Sequence, residues 1–321
     1  MKKLYAILAA GLAIAACSKE AGPETASPGT EKTEVTFRIE TPSTKAVSVD
    51  VNNETKVNAI QVFVFNTDGS IDAMSGKTEG NSVTLACGVG EKTIAAVVNG
   101  PEIASSTTYT LSRLERVTSS FSDNAIDSFV MYGSEVTTLS ARATVSIHVK
   151  RLVCKVVIKE ITRDFDAADY ASLDSTAMDI TGIYLKKVAG QGSYASTATI
   201  STWYNNDENK HYTGNDAILA MIADYDIEGV ALKNGETYST AHSFYAYPNP
   251  EKSTLLTVET TLDGKTLYYP LALPALESNK IYTLTKLTLS RPGGDYDDKD
   301  TIIFKVEVED WEEGDTWDEI Y

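Results

Sequence analysis

Histidine and cysteine are scarce in this chain of 321 residues, with three of each. The histidines are His148, His211 and His242, and no HExxH, CxxC or GxSxG motif accompanies them. The segment Gly88–Thr93 (GVGEKT) lacks the first glycine of a phosphate-binding loop and is interpreted as a hairpin turn. Because catalysis and metal binding need clustered functional groups, the sequence predicts neither an enzyme nor a metal or cofactor site.

Basic residues are also few. Lysine and arginine total 28 against 45 aspartates and glutamates, a formal net charge of -17. Phosphate backbones repel a chain this acidic, which excludes nucleic acid as a direct partner. Cys87 and Cys154 lie in apolar, strand-like runs. An exported protein could pair them, but a lone cysteine in such a run is usually a small buried hydrophobe, and we expect two free thiols.

Long apolar runs are missing except at the N-terminus, where Met1-Lys2-Lys3 precedes the apolar segment Leu4–Ile14. This segment has the length of a signal-peptide core, shorter than the ~18 residues that a membrane span needs. The stretch from Ile14 to Cys17 (IAAC) resembles a bacterial lipobox, which implies a signal peptide over 1–16 and acyl chains on Cys17. The alternative is an ordinary secretory signal with an incidental cysteine. Acyl chains would anchor the precursor to a membrane.

Residues 17–33 are rich in proline, glycine and small polar residues and are expected to form a disordered tether. The remaining part of the chain is long enough for two domains. Its apolar pattern is that of an all-β protein with one short helix, Thr110–Val117. Asp263-Gly264, between two alternating runs, predicts a two-residue hairpin. Candidate strands are Glu34–Glu40, Val57–Phe65, Ser82–Ala86, Lys92–Asn99, Ser128–Tyr132, Ala143–Ile161, Ile180–Val188, Tyr238–Tyr247, Thr254–Leu262, Lys265–Leu273, Lys280–Ser290 and Thr301–Trp311.

The run Ala143–Ile161 changes phase in its middle. Apolar residues occupy odd positions before Lys150-Arg151 and even positions after it. Since a slip of one residue turns every side chain to the opposite face, a bulge or bend is expected there, as in a strand that crosses between two sheets. We place an N-terminal β-sandwich domain over 34–165 and a C-terminal one over 166–321.

The first and last strands have similar patterns. Glu34–Glu40 carries Val35, Phe37 and Ile39 on one face and precedes a Pro/Ser/Thr-rich loop that contains Lys45. The terminal strand segment 301–321 begins with the same period of two, in Ile302, Phe304, Val306 and Val308. Either strand is therefore expected to fill a slot in a half-buried sheet.

Several segments together resemble the FimA-type fimbrillins, the subunits of the type V pilus. They are Thr36–Ala46, Ile94–Pro101, Val149–Ile161, Ser243–Pro250, Leu273–Gly294 and Val306–Trp311. The resemblance implies two tandem transthyretin-like β-sandwich domains and export as a lipoprotein to the outer membrane. It also implies that a trypsin-like surface protease removes the first strand, and that a strand of another pilus subunit then fills the groove in the extracellular pilus.

Carried onto this sequence, the resemblance places the cut between Lys45 and Ala46, so that 34–45 is the removable first strand and loop. Arg38 is the rival basic residue but lies within the strand. Lys45 could also be a plain solvated loop lysine. Ile302, Phe304, Val306 and Val308 are the candidate donor residues.

Two other interpretations stay open. The end of the chain, Trp311–Tyr321, is mostly acidic, which would suit a tip or accessory subunit that accepts a strand without donating one. A different class is a surface lipoprotein that binds glycans, with Trp203, Tyr204 and Tyr212 as a stacking platform, although such aromatics are often partly buried anchors. A stalk subunit that supports adhesion is the first interpretation.

Overall fold

The computed structural model describes residues 32–41, 53–195, 198–207 and 210–294, and the backbone of 307–310. Strands dominate, as the alternating pattern predicts. The first twelve are β1 (Lys32–Glu40), β2 (Ala59–Phe65), β3 (Ile71–Met74), β4 (Thr78–Glu79), β5 (Ser82–Gly88), β6 (Gly90–Val98), β7 (Thr118–Ser120), β8 (Met131–Leu139), β9 (Thr144–His148), β10 (Lys150–Arg151), β11 (Cys154–Ile158) and β12 (Ile161–Arg163).

The rest of the chain adds thirteen strands. They are β13 (Met178–Lys186), β14 (Val188–Ala189), β15 (Gln191–Ser193), β16 (Trp203–Tyr204), β17 (Ala223–Asp224), β18 (Ala231–Leu232), β19 (Thr237–Tyr238), β20 (His242–Ala246), β21 (Leu255–Leu262), β22 (Lys265–Ala272), β23 (Lys280–Leu284), β24 (Leu287–Leu289) and β25 (Glu307–Asp310). The described α-helices are α1 (Leu111–Leu114), α2 (Ala167–Tyr170) and α3 (Asp216–Ile222), with 3-10 turns at Phe121–Asp123 and Ala171–Leu173.

The N-terminal half is a sandwich of two sheets. One has the strand order β5-β1-β9, and the other has the order β10-β8-β6-β2-β3, with β4 paired to β2. Apolar side chains from both sheets form one core, which includes Val35, Phe37, Val62, Ile94 and Ile147. Strand β2, which is buried except at Ala59, also faces a second core on its other side, where Phe63 and Phe65 pack. Burial on both faces explains why β2 is almost continuously apolar.

The C-terminal half has a sheet in the order β20-β11-β23-β25. A neighbouring sheet has the order β19-β12-β24, in which β19 precedes β20 in the chain, β12 follows β11 and β24 follows β23. A second sheet has the order β17-β13-β21-β22, with β18 paired to β13. Their apolar faces share the larger core with Phe63, Phe65 and the helix residue Leu114. The two halves are further joined by the pairing of β7 with β15.

The predicted crossing near Lys150-Arg151 is confirmed. β9 pairs with β1 in the first N-terminal sheet, whereas β10 pairs with β8 in the second. β11 and β12 then hydrogen-bond with β20, β23, β19 and β24 of the C-terminal half. Pairing with strands of the C-terminal half therefore begins at Cys154, whereas the Leu152 backbone N–H still donates to the Val130 carbonyl of the N-terminal half.

Turns and helices match the sequence in part. Asp263 and Gly264 have φ values of 50° and 73° and connect β21 to β22, as predicted. Thr110 caps α1 by accepting a hydrogen bond from the Arg113 backbone N–H, but the regular helix is one turn long. The expected hairpin at Gly88–Thr93 is wrong: Gly88 ends β5 in one sheet and Gly90 starts β6 in the other. Two helices beyond the predicted one, α2 and α3, occur after residue 165.

Candidate assembly site

The first strand of the described chain, β1, lies in the middle of its sheet. It pairs antiparallel with β5, from Lys32 opposite Gly88 to Arg38 opposite Ser82. On its other side it pairs parallel with β9. Since β5 and β9 are not neighbours in the sheet, removing β1 would leave a gap one strand wide with a hydrogen-bonding edge on each side. We call this gap the β1 slot.

The inner face of β1 is apolar and buried. Val35 and Phe37 have no exposed surface, and Ile39 is 4% exposed. All three pack in the N-terminal core with residues of β2, β6 and β9. Burial of three such side chains contributes roughly 5–9 kcal/mol as an upper bound. The predicted alternation is thus present in the structure, and the apolar face holds β1 together with its two backbone ladders.

The outer face of β1 makes polar contacts at the surface. Glu40 Oε2 lies 3.1 Å from His148 Nε2, and the Thr36 and Thr84 hydroxyls are 3.0 Å apart. A hydrogen bond from Ser146 and the nearby charges of His148 and Arg38 lower the pKa of the Glu40 carboxyl. Such exposed contacts are weak, so the apolar face and the backbone ladders determine what the β1 slot accepts.

The chain that follows residue 52 is fixed by a buried polar cluster, which we call the Glu54 junction. Glu54 is 4% exposed, and its Oε1 accepts hydrogen bonds from Lys155 Nζ at 2.8 Å and from the Tyr245 hydroxyl. The Arg151 Nε–H donates to the Glu54 carbonyl at 3.0 Å. The segment after the predicted cut is therefore attached independently of β1.

The Glu54 junction was not predicted from the sequence. Glu54 lies in the polar run Asn52–Lys56, which has no periodic pattern. Its partners are 97 to 191 residues away in the chain, so no local spacing indicates them. A possible signal is Lys155, a charged residue in the apolar strand β11 that is only 3% exposed.

The proposed processing residues Cys17, Lys45 and Ala46 lie outside the described residues, as do Ile302, Phe304 and Val306 of the candidate donor strand. Of that strand, the backbone of β25 is described. It pairs antiparallel with β23, with Val308 opposite Tyr282. In this structure the C-terminal strand thus extends a sheet of its own chain.

Both described cysteines are free and buried, as expected. Burial raises the pKa of Cys154 to about 12. Burial and the nearby Asp72 charge also raise the pKa of Cys87. Cys87 belongs to the core beneath β1, whereas Cys154 belongs to the larger core. The two thiols are therefore unreactive while their cores are intact.

The histidines lie apart and have separate partners. His211 Nε2 is 2.8 Å from Glu259 Oε2, and His242 Nδ1 is 3.1 Å from Asp224 Oδ2. Within the described ranges, no group of three or more histidine, cysteine or acidic residues is placed to hold a metal ion. Among the helices described, none has the length and apolar character of a membrane span.

The three aromatics of the predicted stacking platform are all partly buried and pack against the larger core. Tyr204 lies against Phe121, with ring centroids 5.9 Å apart, and Tyr212 meets Tyr204 edge to face at 6.1 Å. Trp203 also lines an open cavity, which does not include the two tyrosines.

Two family models match the sequence. A fimbrillin-like family model matches residues 93–311, and a model of the FimA major fimbrial subunit protein matches residues 33–150. No protein of curated function matches the sequence.

Solved structures show the same fold. A protein from Bacteroides eggerthii assigned to cell adhesion has a TM-score of 0.60 at 18% identity, covering 88% of this chain and 95% of its own. A fimbrilin (FimA) from Porphyromonas gingivalis W83 has a TM-score of 0.59 at 13% identity, covering 86% and 95%. The tip fimbrial protein Mfa3 of Porphyromonas gingivalis, with a C-terminal truncation, has a TM-score of 0.50 at 10% identity, covering 87% and 100%.

At these identities the structures establish the fold alone, whereas the fimbrillin-like model spans more than half of the sequence. On that match, the chain belongs to the fimbrillin-like family, whose members are structural subunits of extracellular fimbriae rather than enzymes.

Proposed function

We propose that this pilus subunit is a stalk protein that is exported as a lipoprotein, matured by loss of β1 and assembled by strand exchange. The observation that carries the proposal is the position of β1 between β5 and β9 with its apolar face buried. Removal of a strand at the edge of a sheet costs one ladder. Here the loss of β1 leaves two hydrogen-bonding edges unpaired and exposes the core between the sheets. Binding of a replacement strand is therefore strongly favoured.

Export and release form the first part of the proposal. Acyl chains on Cys17 hold the precursor at the outer membrane, and the tether separates the fold from the lipid. The predicted tether 17–33 is too long at its end, because Lys32 and Thr33 already pair with β5 as part of β1. A trypsin-like surface protease cuts between Lys45 and Ala46. Arg38 is protected because its backbone lies within both ladders of β1. The Glu54 junction keeps the new N-terminal segment attached to the folded body after the cut.

Replacement of β1 is the second part. A donor strand with apolar residues at every second position fits the floor of the β1 slot, and Ile302, Phe304, Val306 and Val308 have that spacing. Four such side chains offer roughly 6–12 kcal/mol of burial before ordering costs. Because this range overlaps that for β1, exchange depends on the cut, which turns β1 from a covalently linked strand into a peptide that can dissociate.

A second candidate is a tip or accessory subunit. The observation that favours it is the pairing of β25 with β23, which occupies the C-terminal strand within its own sheet. Such a subunit accepts a donor strand in its β1 slot but offers none.

The experiment is limited trypsin digestion of the purified lipidated precursor, with Lys45→Gln and Arg38→Gln variants as a matched pair. We expect a new N-terminus at Ala46 in the natural protein and in Arg38→Gln, no such cut in Lys45→Gln, and ladders on unheated denaturing gels only after the cut. A precursor that stays intact, or that is cut at Arg38, contradicts the maturation step.

If the digested protein remains monomeric, a synthetic peptide of residues 301–311 is added, and its binding distinguishes the two candidates. Binding of the peptide to digested but not to intact precursor supports an accepting slot without donation, as in a tip or accessory subunit. A digested protein that neither polymerises nor binds the peptide contradicts strand exchange in both forms.

A further inference from the structure

An open cavity of about 860 Å³ lies in the C-terminal half, away from the β1 slot. Its walls come from three segments of the chain: the one that contains β15 and β16, the loop at Asn249, and the loop at Leu276 that is bridged to Asn249. Side chains that line it include Gln191, Trp203, Pro248, Asn249 and Glu277. The volume is that of a typical small-molecule site.

The polar groups of the cavity are held in place by the backbone. Gln191 Oε1 accepts hydrogen bonds from the backbone N–H groups of Ser201 at 2.9 Å and Thr202 at 3.1 Å. The Asn249 backbone exchanges two hydrogen bonds with Leu276, at 3.1 and 2.9 Å. Because these contacts fix the amides before any ligand arrives, little conformational entropy is lost when a ligand binds.

Two amides have unused hydrogen-bonding capacity. Asn249 is 6% exposed, and its Nδ2 donates to the Tyr247 carbonyl at 2.9 Å, while its Oδ1 has no partner in the described structure. A buried acceptor without a partner is costly, so a rotation of the amide that brings this oxygen to the cavity surface and lets a ligand donate to it is favourable. Gln191 also lines the cavity, and with its Oε1 engaged by the backbone, its Nε2 is the atom of that amide left to donate to a ligand.

The rest of the lining is apolar or neutral with one exposed acid. Trp203, Pro248 and Leu276 contribute apolar surface. Among the described residues that line the cavity there is no lysine or arginine, which argues against phosphate, sulfate or sialic acid groups. Glu277 can accept hydrogen bonds from hydroxyl groups.

This combination suits a ligand with apolar C–H faces and many hydroxyl groups. A sugar ring can lie against an aromatic side chain while its hydroxyls donate to Asn249 and Glu277 and accept from Gln191. We propose that the cavity is a binding site for neutral oligosaccharides. The proposal does not depend on maturation of the β1 slot, since none of its residues belongs to β1, β5 or β9.

The test is calorimetric titration of the intact precursor with lactose, maltotriose, cellotriose and chitotriose, and with 3′-sialyllactose as an anionic probe. The key variant is Gln191→Glu, which keeps the acceptor for Ser201 and Thr202 but removes the donor and adds a negative charge. Asn81→Asp, at an exposed site on the N-terminal half, is its charge-matched control. Trp203→Ala and Trp203→Phe test the aromatic wall.

We expect at least one neutral probe to bind, with affinity reduced about tenfold by Trp203→Ala and by Gln191→Glu, less by Trp203→Phe, and unchanged by Asn81→Asp. Thermal unfolding of each variant identifies a loss of fold, and Gln191→Glu carries the test if Trp203→Ala does not fold. Absence of binding by all four neutral probes, preference for the anionic probe, or equal binding by Gln191→Glu would each overturn the proposal.

Discussion

The Lys155 ammonium lies 2.8 Å from Oε1 of Glu54, and each of the two side chains is 4% exposed. The residues are 101 positions apart in the chain. The pair connects the segment after the predicted cut to β11, the strand at which sheet membership passes to the C-terminal half. Burial of both charges makes the pair costly to form but more costly to break, because breaking it leaves a charge in a poorly solvated place.

Replacing Glu54 by glutamine tests this relationship. Glu54→Gln keeps the shape of the side chain but makes the Lys155 ammonium face a neutral amide. We expect the free energy of unfolding to fall by about 3–5 kcal/mol, measured by urea denaturation. Asp127→Asn is the matched control, since it breaks the exposed Lys56–Asp127 pair and is expected to cost at most about 1 kcal/mol. Equal losses of unfolding free energy in the two variants would show that the buried Glu54–Lys155 pair contributes no more than an exposed pair.

The inner face of β1 gives a second prediction. Phe37→Ala removes a fully buried side chain and should lower the free energy of unfolding of the precursor by about 3–5 kcal/mol. Arg38→Ala, at the next position but on the exposed face, should change it by about 0.5 kcal/mol or less.

The same pair separates attachment of β1 from its cleavage. After digestion, the peptide that contains β1 should dissociate faster from Phe37→Ala than from the natural protein, as followed by size exclusion and intact mass. Arg38→Ala should release it at the natural rate. Similar release from both variants would mean that the apolar face does not control retention of β1.

Features set by local alternation could be predicted from the sequence. Val35, Phe37 and Ile39 repeat every second residue because one face of β1 is buried and the other is not, and the position of the core face follows directly. The phase change near Lys150 is a second such feature. In both places the side chains that specify the structure are adjacent in the chain.

Other elements depend on partners that the local sequence does not indicate. Only the start of β8 was predicted, because its later part is polar and Val136 is 67% exposed. The helix α3 was missed although Asn215 caps it and Ile218, Met221 and Ile222 form a buried stripe, a signal that could have been found. The cavity around Asn249 needs three distant segments, so its assembly could not be inferred.

A third prediction concerns His242, whose imidazole is 11% exposed and contacts Asp224 and Tyr238. Burial lowers its pKa from the ordinary 6.5, although the Asp224 charge opposes this shift. The unfolded chain therefore binds a proton more readily than the folded one, so stability is lost as the pH falls below about 6.5 towards the lowered pKa. The slope for one proton is at most about 1.4 kcal/mol per pH unit.

His242→Gln should flatten the pH dependence of the free energy of unfolding in this window, as measured by urea denaturation between about pH 6.5 and 5. Asn81→Gln, at an exposed site with no titratable side chain, is the control and should leave the slope as in the natural protein. A slope unchanged in His242→Gln would assign the pH dependence to other groups.

A fourth prediction uses Cys87 as a reporter of the β1 slot. The residue lies opposite Thr33 of β1 and is fully buried in the core beneath that strand, whereas Cys154 is buried in the other core. We expect neither thiol of the intact precursor to react with a disulfide reagent such as DTNB, since burial hinders access and raises both pKa values.

Digestion and removal of the β1 peptide should make one thiol reactive. A Cys87→Ser variant would identify this thiol by losing the signal, whereas Cys154→Ser should keep it. Adding the peptide of residues 301–311 should protect Cys87 again if it fills the β1 slot. Reaction of Cys154 instead would indicate that loss of β1 unfolds the molecule rather than opening a defined slot, and strand exchange would then lack its acceptor.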